Sequence, residues 1–374
     1  MRAPTPRRSR RPLALALAFA TAMALGACSP ADQPAVSAPT QRVSPPTSNP
    51  SPTVTTATMA TMATTAPEPT TPAPTAPPRA PLTGRAGGDR APVMALKIDN
   101  ATPARPQRGL GAADVVFEEL VEGGTTRFLA LFQSRLPEKV GPVRSGREVD
   151  AVLLPSFDPL LVFSGAADEV QRDVADAGLA LVQDEDESKR YDAAFERDAG
   201  REAPYNLYLQ TDELRTARAE RPPARPPWEF GAAGAKGQPL KGIELSFSPW
   251  ASAGWTWDGK TWIRSQDGSP HELVDGDVIT ASNVVVMRVP TAPGGRTDSA
   301  GNPTVEITVT GKGDALILRD GGVYRGEWSK RDAESDLVWR TRAGRPLPLA
   351  PGNTWIELVP ADGDVELVGA KTAP

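Results

Sequence analysis

The sequence predicts an α+β or mixed α/β N-terminal domain followed by a mostly antiparallel β C-terminal domain. A proline-rich break, "ERPPARPPWEF" at Glu220–Phe230, separates two regions of different composition, since all eight tryptophans lie after residue 220. The first region alternates short apolar strands with helical segments, whereas the second alternates strands with glycine turns. Two regions built from such different core residues predict two domains.

The N-terminus, residues 1–27, has the pattern of a bacterial lipoprotein signal peptide. Five arginines precede an apolar run from Leu13 to Leu25, which is shorter than the roughly 20 residues that cross a bilayer. The run ends in "LGAC", which resembles a lipobox. Cys28 is the only cysteine in the chain, so we expect it to carry a lipid rather than to form a disulfide. This predicts a membrane anchor at the outer face of the bacterial cytoplasmic membrane.

Residues 28–88 are rich in proline, threonine and alanine, and no aromatic residue occurs between Phe19 and Phe117. Such a segment buries too little apolar surface to offset its ordering entropy, so we expect a disordered tether. Removal of the signal peptide leaves a formal charge of −10. Without a basic excess, nucleic acid is not an expected partner.

The first folded region is predicted at 89–220. It has an apolar strand in "APVMALKID" and a hairpin in "ADVVFEELVEGGTTRFLALFQS", with Gly123-Gly124 as a two-residue turn. That turn would place Leu120 opposite Arg127 and hold Arg127 between Glu118 and Glu122. Another strand is predicted in "DPLLVFSGA", and helices are predicted at 146–154, 166–177 and 210–218.

A linker at 221–235 leads to the second region, predicted at 236–362, and a tail at 363–374 follows. Glycine pairs such as Gly321-Gly322 mark hairpins, which predicts antiparallel strands. Trp255 and Trp257 share one strand face. We expect the tryptophans to fill the core, and a glycan-binding platform is the alternative.

The available side chains limit the chemistry. His271 is the only histidine, so a Ser-His-Asp triad would have to use it, and a multi-histidine zinc site is excluded. No Cys–His pair is available, because the one cysteine is assigned to the anchor. Carboxylate chemistry, a Ser/Lys pair or binding without catalysis remain, and we expect no metal and no cofactor.

The loop "GPVRSGREVD" has a sequence signal of its own. Ser145 followed three residues later by Glu148 fits a capping box, which predicts a helix that begins at Gly146. Arg144 and Arg147 would lie at the positive end of that helix, where a cation is unfavourable. Their expected partner is either an internal carboxylate, Glu119 or Asp99, or a bound anion.

Several long motifs resemble the YerB-like lipoproteins. They are "APVMALKIDN", "ARPQRGLGAADVVFEELVEGGTTRFLALFQS", "PEKVGPVRSGRE" and "REAPYNLY" in the first region, and "GSPHELVDGDVITASNVVV", "GKGDALILRDGGVYRGEW" and "PGNTWIELVP" in the second. The resemblance spans roughly residues 90–362 and implies an envelope lipoprotein with two domains, without implying an activity. The chain departs from the family pattern at Tyr205, where relatives tend to carry histidine.

The leading functional hypothesis is a monomeric, anchored binding or accessory protein without catalysis. Its ligand would be a cell-wall glycan, an anionic polymer or an envelope protein recognised by arginine forks. The candidate binding residues are Arg105, Arg127, Arg144, Ser145, Arg147, Arg201, Asn206, Asp99, Glu119 and Glu122. One alternative is an enzyme acting on peptidoglycan or another envelope polymer through Glu119, Glu122 and Asp99. Another is a protein-docking module with no small-molecule site.

Overall fold

The structure is a computed structural model that describes residues 77–184, 188–298 and 301–370. The predictions for the signal peptide, for Cys28, for the tether up to residue 76 and for residues 371–374 lie outside these ranges. The described residues belong to one compact unit that spans Thr71–Pro374.

The first region contains eight strands and three short helices. The strands are β1 (Met94–Asp99), β2 (Val115–Leu120), β3 (Thr126–Phe132), β4 (Lys139–Val140), β5 (Leu160–Phe163), β6 (Ala180–Gln183), β7 (Phe195–Arg197) and β8 (Leu207–Gln210). The helices are α1 (Glu148–Leu153), α2 (Asp168–Asp176) and α3 (Arg215–Ala219). Single 3₁₀ turns occur at Thr102–Ala104, Leu110–Ala112, Glu122–Gly124, Asp192–Ala194 and Thr211–Leu214.

The second region is built from strands. They are β9 (Gln238–Pro239), β10 (Gly242–Ser248), β11 (Ala251–Trp257), β12 (Trp262–Gln266), β13 (Ser269–Pro270), β14 (Thr280–Ala281), β15 (Asn283–Val289), β16 (Thr291–Thr297), β17 (Pro303–Ile307), β18 (Gly311–Arg319), β19 (Gly322–Lys330), β20 (Val338–Thr341), β21 (Thr354–Pro360) and β22 (Val365–Val368). The fold is therefore mainly strand, with helices of only six, nine and five residues.

One long sheet runs through both regions, in the order β20-β19-β18-β15-β21-β2-β3-β1-β5-β6. The junction is β21, which pairs in parallel with β15 on one side and with β2 on the other. Most other pairs of the second region are antiparallel, as predicted. The two regions thus share a sheet, although their compositions differ.

Both faces of this long sheet are covered. A second, antiparallel sheet containing β10, β11 and β12 packs on one face and contributes the fully buried Trp255 and Trp262. The other face packs against α1, α2 and Trp228 of the linker. Because of this double coverage β1, β3 and β21 are buried along their whole lengths, which explains why most of their residues are apolar.

Two parts of the structure differ from the sequence-based expectation. Residues 77–88, which composition assigns to the tether, contain the buried side chains of Ala80, Leu82 and Thr83, so the folded part begins before residue 89. The β2–β3 hairpin pairs Glu119 with Arg127 and Leu120 with Thr126. The predicted register is wrong by one residue, because the Val121 N–H bonds to Thr125 O and three residues lie between them.

Candidate functional site

A cleft of about 490 Å³ lies at the carboxyl ends of three parallel strands. β1 pairs in parallel with β5, and β5 with β6, so the three strands end at the same edge of the sheet. In open sheets with parallel strands, ligands commonly bind outside this edge. Charged groups line the cleft: Arg144, Arg147, Arg197, Arg296, Glu122, Glu148, Asp184 and Asp298.

The segment 143–147 crosses the ends of β1 and β5 and forms one wall of the cleft. Its backbone is fixed on both sides, since the Arg144 N–H donates to Lys97 O at 2.9 Å and the Ser164 N–H donates to Arg144 O at 3.0 Å. Gly146 packs on the ring of Phe163, where an added Cβ would lie 3.0 Å from a ring carbon. The sequence "RSGR" therefore places two arginines, Arg144 and Arg147, on a backbone that passes directly over the sheet and is fixed on both sides.

Arg144 contacts the carboxylate of Asp99 through one nitrogen of its guanidinium group only. Its Nε lies 2.7 Å from Asp99 Oδ2, and its guanidinium lies 5.9 Å from the centre of the Tyr205 ring. No other partner of Arg144 occurs among the described residues. Its side chain is 25% exposed, so its two terminal nitrogens remain available to solvent in the cleft.

Arg147 is held more completely. Its side chain forms an ion pair with Glu122 and donates to Gly146 O at 2.7 Å. The predicted capping box is wrong: α1 begins at Glu148 with Arg147, not Ser145, at the N-cap, and the carboxylate of Asp150 accepts the Arg147 N–H at 2.8 Å. Ser145 contributes its carbonyl oxygen, which accepts from both Arg127 and Arg147.

Arg127 lies behind this wall and is only 8% exposed. Its cross-strand neighbours are Asp99 and Glu119, yet no carboxylate oxygen of the described residues lies within 4.0 Å of its guanidinium. Its one hydrogen bond there is from Nη1 to Ser145 O, at 3.0 Å. Burial, and then repulsion from Arg147, lowers the pKa of Arg127 to about 10. The site therefore contains a buried cation without an ion-pair partner among the described residues.

A second buried charge group, Lys97, Glu119 and Asp150, connects α1 to the sheet. Lys97 Nζ lies 2.6 Å from Asp150 Oδ1 and also contacts Glu119, and all three side chains are fully buried. Burial raises the pKa of Glu119 to about 7, although Lys97 opposes the rise. Glu119 thus pairs with Lys97 rather than with an arginine of the loop. Lys97 is not among the residues predicted from sequence, although a lysine within the otherwise apolar strand "MALKID" is a sequence feature that indicates a buried charge.

Two arginines of the cleft come from elements that the sequence did not single out. Arg197 on β7 lies 2.5 Å from Asp184 Oδ2. Arg296 on β16 forms an ion pair with Glu148 of α1 and lies 3.3 Å from Glu169 of α2. Their contribution follows from tertiary contacts, and no local motif marks them.

Comparison with known families fits this architecture. A family described as "Protein of unknown function (DUF3048) N-terminal domain" matches residues 82–224, and the corresponding C-terminal domain matches residues 243–356. The chain belongs to the YerB-like family. A protein of Bacillus subtilis (strain 168) named "Putative lipoprotein YerB" is 29% identical over 304 residues, which cover 75% of this chain and 86% of that protein.

A solved structure agrees with the fold of this family member. The crystal structure of the YerB protein from Bacillus subtilis matches with a TM-score of 0.66 and 26% identity, covering 77% of this chain and 99% of that one. The resemblance read from the sequence motifs is confirmed.

Of the ten predicted binding residues, Glu122, Arg144, Ser145 and Arg147 line the cleft of this YerB-like chain. Asp99, Glu119 and Arg127 lie behind its wall, and Arg105, Arg201 and Asn206 lie elsewhere. Arg105 lies 2.7 Å from Asp267 Oδ2, and Arg201 donates to the carbonyl oxygens of Ala104 and Pro106. These contacts brace the loop after β1. Asn206 accepts a backbone hydrogen bond from Asp198 through its carbonyl oxygen and does not line the cleft.

The two sheets of the fold meet at a further buried charge group. Arg264 of β12 lies 2.6 Å from Glu118 Oε2 and 3.2 Å from Glu357 Oε1, and all three side chains are fully buried. Burial and the charge of Glu118 raise the pKa of Glu357 well above its usual value. Arg264 is also 4.7 Å from the centre of the Trp355 ring. This group joins the regions rather than facing solvent.

His271 belongs to the same group. The Arg264 Nε–H donates to His271 Nδ1 at 3.0 Å, and His271 Nε2 lies 2.8 Å from Gln107 Oε1. Nδ1 therefore accepts, and Nε2 carries the hydrogen. Burial, together with the charge of Arg264, lowers the pKa of His271 well below 6.5. The one histidine of the chain is a buried, neutral link between the sheets.

The described ranges contain neither a candidate metal cluster nor a candidate membrane-spanning helix. Within residues 77–184, 188–298 and 301–370, no group of three or more His, Cys, Asp and Glu side chains is arranged to hold a metal ion. No helix in the same ranges is long and apolar enough to cross a membrane.

Proposed function

We propose that this protein binds an anionic group, a carboxylate or a phosphate, of a cell-envelope component in the arginine cleft. The observation that carries the proposal is the group of three arginines at this wall. Arg144 and Arg147 line the cleft, and Arg127, buried behind them, has no carboxylate within 4.0 Å among the described residues. A buried charge without a close partner is costly, and an anion held by Arg144 in the cleft would add countercharge next to this group.

The expected contacts follow from the geometry of Arg144. Its Nε faces Asp99 and its terminal nitrogens face the cleft, so it can hold Asp99 and a ligand oxygen at the same time. Guanidinium groups are suited to this because they present five N–H donors in a fixed plane. In a partly enclosed cleft such charge-assisted hydrogen bonds are about twice as strong as neutral ones.

The location of the ligand follows from the anchor. Cys28 in the lipobox-like "LGAC" would attach the chain to the outer face of the cytoplasmic membrane, and the relative in Bacillus subtilis, named a lipoprotein, supports this assignment. A ligand in the cell envelope would then lie within reach of the tethered cleft.

The test is a calorimetric titration of a fragment of residues 71–374, the compact unit that holds both sheets, with inorganic phosphate and with glutarate. Arg144→Gln should weaken binding at least tenfold, and binding should weaken with added salt. Asp99→Asn/Arg144→Gln removes the pair together and should show the same loss without leaving Asp99 unpaired. Arg225→Gln is the matched control, because Arg225 pairs with Asp336 outside the cleft. Equal affinities of wild type and both Arg144 variants, or no binding by the wild type, would refute the proposal.

Among the carboxylates of the enzymatic alternative, Glu119, Glu122 and Asp99, Glu119 is the candidate for a general acid or base. A pKa of about 7 is suitable for a general acid or base at neutral pH. However, Glu119 has no exposed surface and does not line the cleft, so a substrate would not reach it in this conformation. Digestion of cell-wall material by the fragment, abolished by Glu119→Gln, would favour the enzyme over the binding protein. Crosslinking in cells to one dominant protein, unaffected by Arg144→Gln, would favour a docking module.

A further inference from the structure

Trp250 is an exposed tryptophan in a protein that buries most of its others. Its side chain is 77% exposed, and the other exposed large apolar residues of the described ranges are Val274 and Val368, each at 40%. Val274 contacts Gln107 and Val368 lies on β22, at the opposite end of β10 from Trp250. The indole is therefore not part of a cluster of fully exposed apolar side chains in the described ranges.

The turn that carries Trp250 is fixed to the β2–β3 hairpin. The Ser248 hydroxyl donates to Gly124 O at 2.5 Å and accepts the Trp250 N–H at 3.0 Å. Gly124 has a φ of +72°, and a Cβ there would lie 2.9 Å from Trp250 Cδ1. Both the short contact and the backbone conformation favour glycine at this position. The backbone of Trp250 is therefore fixed on the hairpin turn, and one edge of the exposed indole lies over Gly124.

This position is next to the arginine cleft. Glu122, two residues before Gly124, lines the cleft and pairs with Arg147. On the other side, Asn302 lies beside Gly123, and its loop contributes Asp298 and Thr304 to the cleft. The hairpin turn that contacts the indole therefore also supplies one residue of the cleft, Glu122.

We propose that Trp250 is a stacking platform for a sugar ring, and that the ligand of the cleft is an acidic saccharide. This inference rests on the proposed anion site and names its ligand class. A pyranose ring has a face of polarised C–H groups that suits the electron-rich face of an indole, and its hydroxyls and carboxylate suit the polar and charged groups that line the cleft. A protein interface or a membrane contact would be expected to use a larger apolar patch, which the surroundings of Trp250 do not provide.

The experiment titrates the 71–374 fragment with four probes: trigalacturonate, which carries a carboxylate on each sugar, maltotriose, glutarate and inorganic phosphate. Trp250→Ala should weaken trigalacturonate binding about tenfold, the loss expected from uncovering roughly 60 Å² of apolar contact. The same variant should leave glutarate and phosphate binding unchanged, Trp250→Phe should lose less, and Val274→Ala should lose nothing. In the wild type, trigalacturonate should also protect tryptophan fluorescence from acrylamide quenching, and this protection should disappear in Trp250→Ala.

The outcomes separate the two proposals. If Arg144→Gln weakens binding of all acidic probes while Trp250→Ala binds trigalacturonate like the wild type, the sugar platform is refuted and the anion site stands. If maltotriose binds as tightly as trigalacturonate and needs Trp250, the sugar platform stands and the assignment to an acidic saccharide is overturned, while the anion site is judged by phosphate and glutarate binding to Arg144→Gln. If trigalacturonate binds no more tightly than glutarate, the assignment to acidic saccharides is overturned.

Discussion

The substitution Glu119→Gln should make the protein less sensitive to rising pH. The pKa of Glu119 rises from 4.5 to about 7 on folding, mainly through burial, so the folded state holds a proton that the unfolded state releases. The stabilisation is fully present below about pH 4.5 and is lost as the pH rises through 7. At about 1.4 kcal/mol per pH unit, that interval corresponds to roughly 3 kcal/mol. Glutamine has the shape of the protonated side chain and does not titrate.

The measurement is the free energy of unfolding in urea between pH 4.5 and pH 8, followed by tryptophan fluorescence of the 71–374 fragment. Near pH 4.5 the variant and the wild type should be similar in stability, and by pH 8 the variant should have gained about 3 kcal/mol relative to the wild type. Glu213→Gln, at an exposed position, measures the effect of the same substitution on the surface. A stability difference that does not change with pH, or one that moves in favour of the wild type as the pH rises, would refute the assignment of a raised pKa to Glu119.

Three further predictions concern other parts of the fold. His271→Gln should remove a loss of stability that the wild type shows as the pH falls below about 6.5, because a buried histidine with a lowered pKa must stay neutral; an unchanged slope in acid unfolding curves would contradict this. Leu82→Ala should lower the free energy of unfolding by about 2–5 kcal/mol, since Leu82 is fully buried. A decrease no larger than that caused by Val274→Ala would show that residues 77–88 are not part of the folded region. Gly124→Ala should cost about 1–2 kcal/mol, because its φ is +72° and its Cβ would meet Trp250; unaltered stability and unaltered Trp250 emission would exclude this packing.

Local sequence signals were sufficient where the cause was local. The apolar strands, the glycine turns and the cluster of arginines at 144–147 follow from short stretches of sequence, and the long motifs identified the family. The predicted hairpin register is wrong because the turn includes Glu122 as well as Gly123 and Gly124, so it has three residues instead of two. A shift of one residue exchanges the faces of a strand, so it moved Glu119, instead of Glu118, to the face of Arg127.

The long-range pairings could not be predicted in this way. Arg264 reaches Glu118 across 146 residues of sequence, and Trp255 donates to Glu357 across 102 residues. Neither contact has a spacing that a local pattern could reveal. The same holds for Arg296, which reaches the cleft only because β16 lies beside α1 and α2.

The buried charge group of Lys97 and Asp150 supports the partly exposed arginines of the cleft. Lys97 holds Asp150 through one carboxylate oxygen at 2.6 Å, and the other oxygen accepts the backbone N–H of Arg147 at 2.8 Å. The position of Arg147 in the cleft therefore depends on a lysine that no solvent reaches. A buried ion pair is weak evidence for stability, because well-packed apolar residues often do as well. We expect the pair of Lys97 and Asp150 to serve the binding site by fixing the backbone at Arg147. An anion site gains affinity when its donors are held in place before the ligand binds.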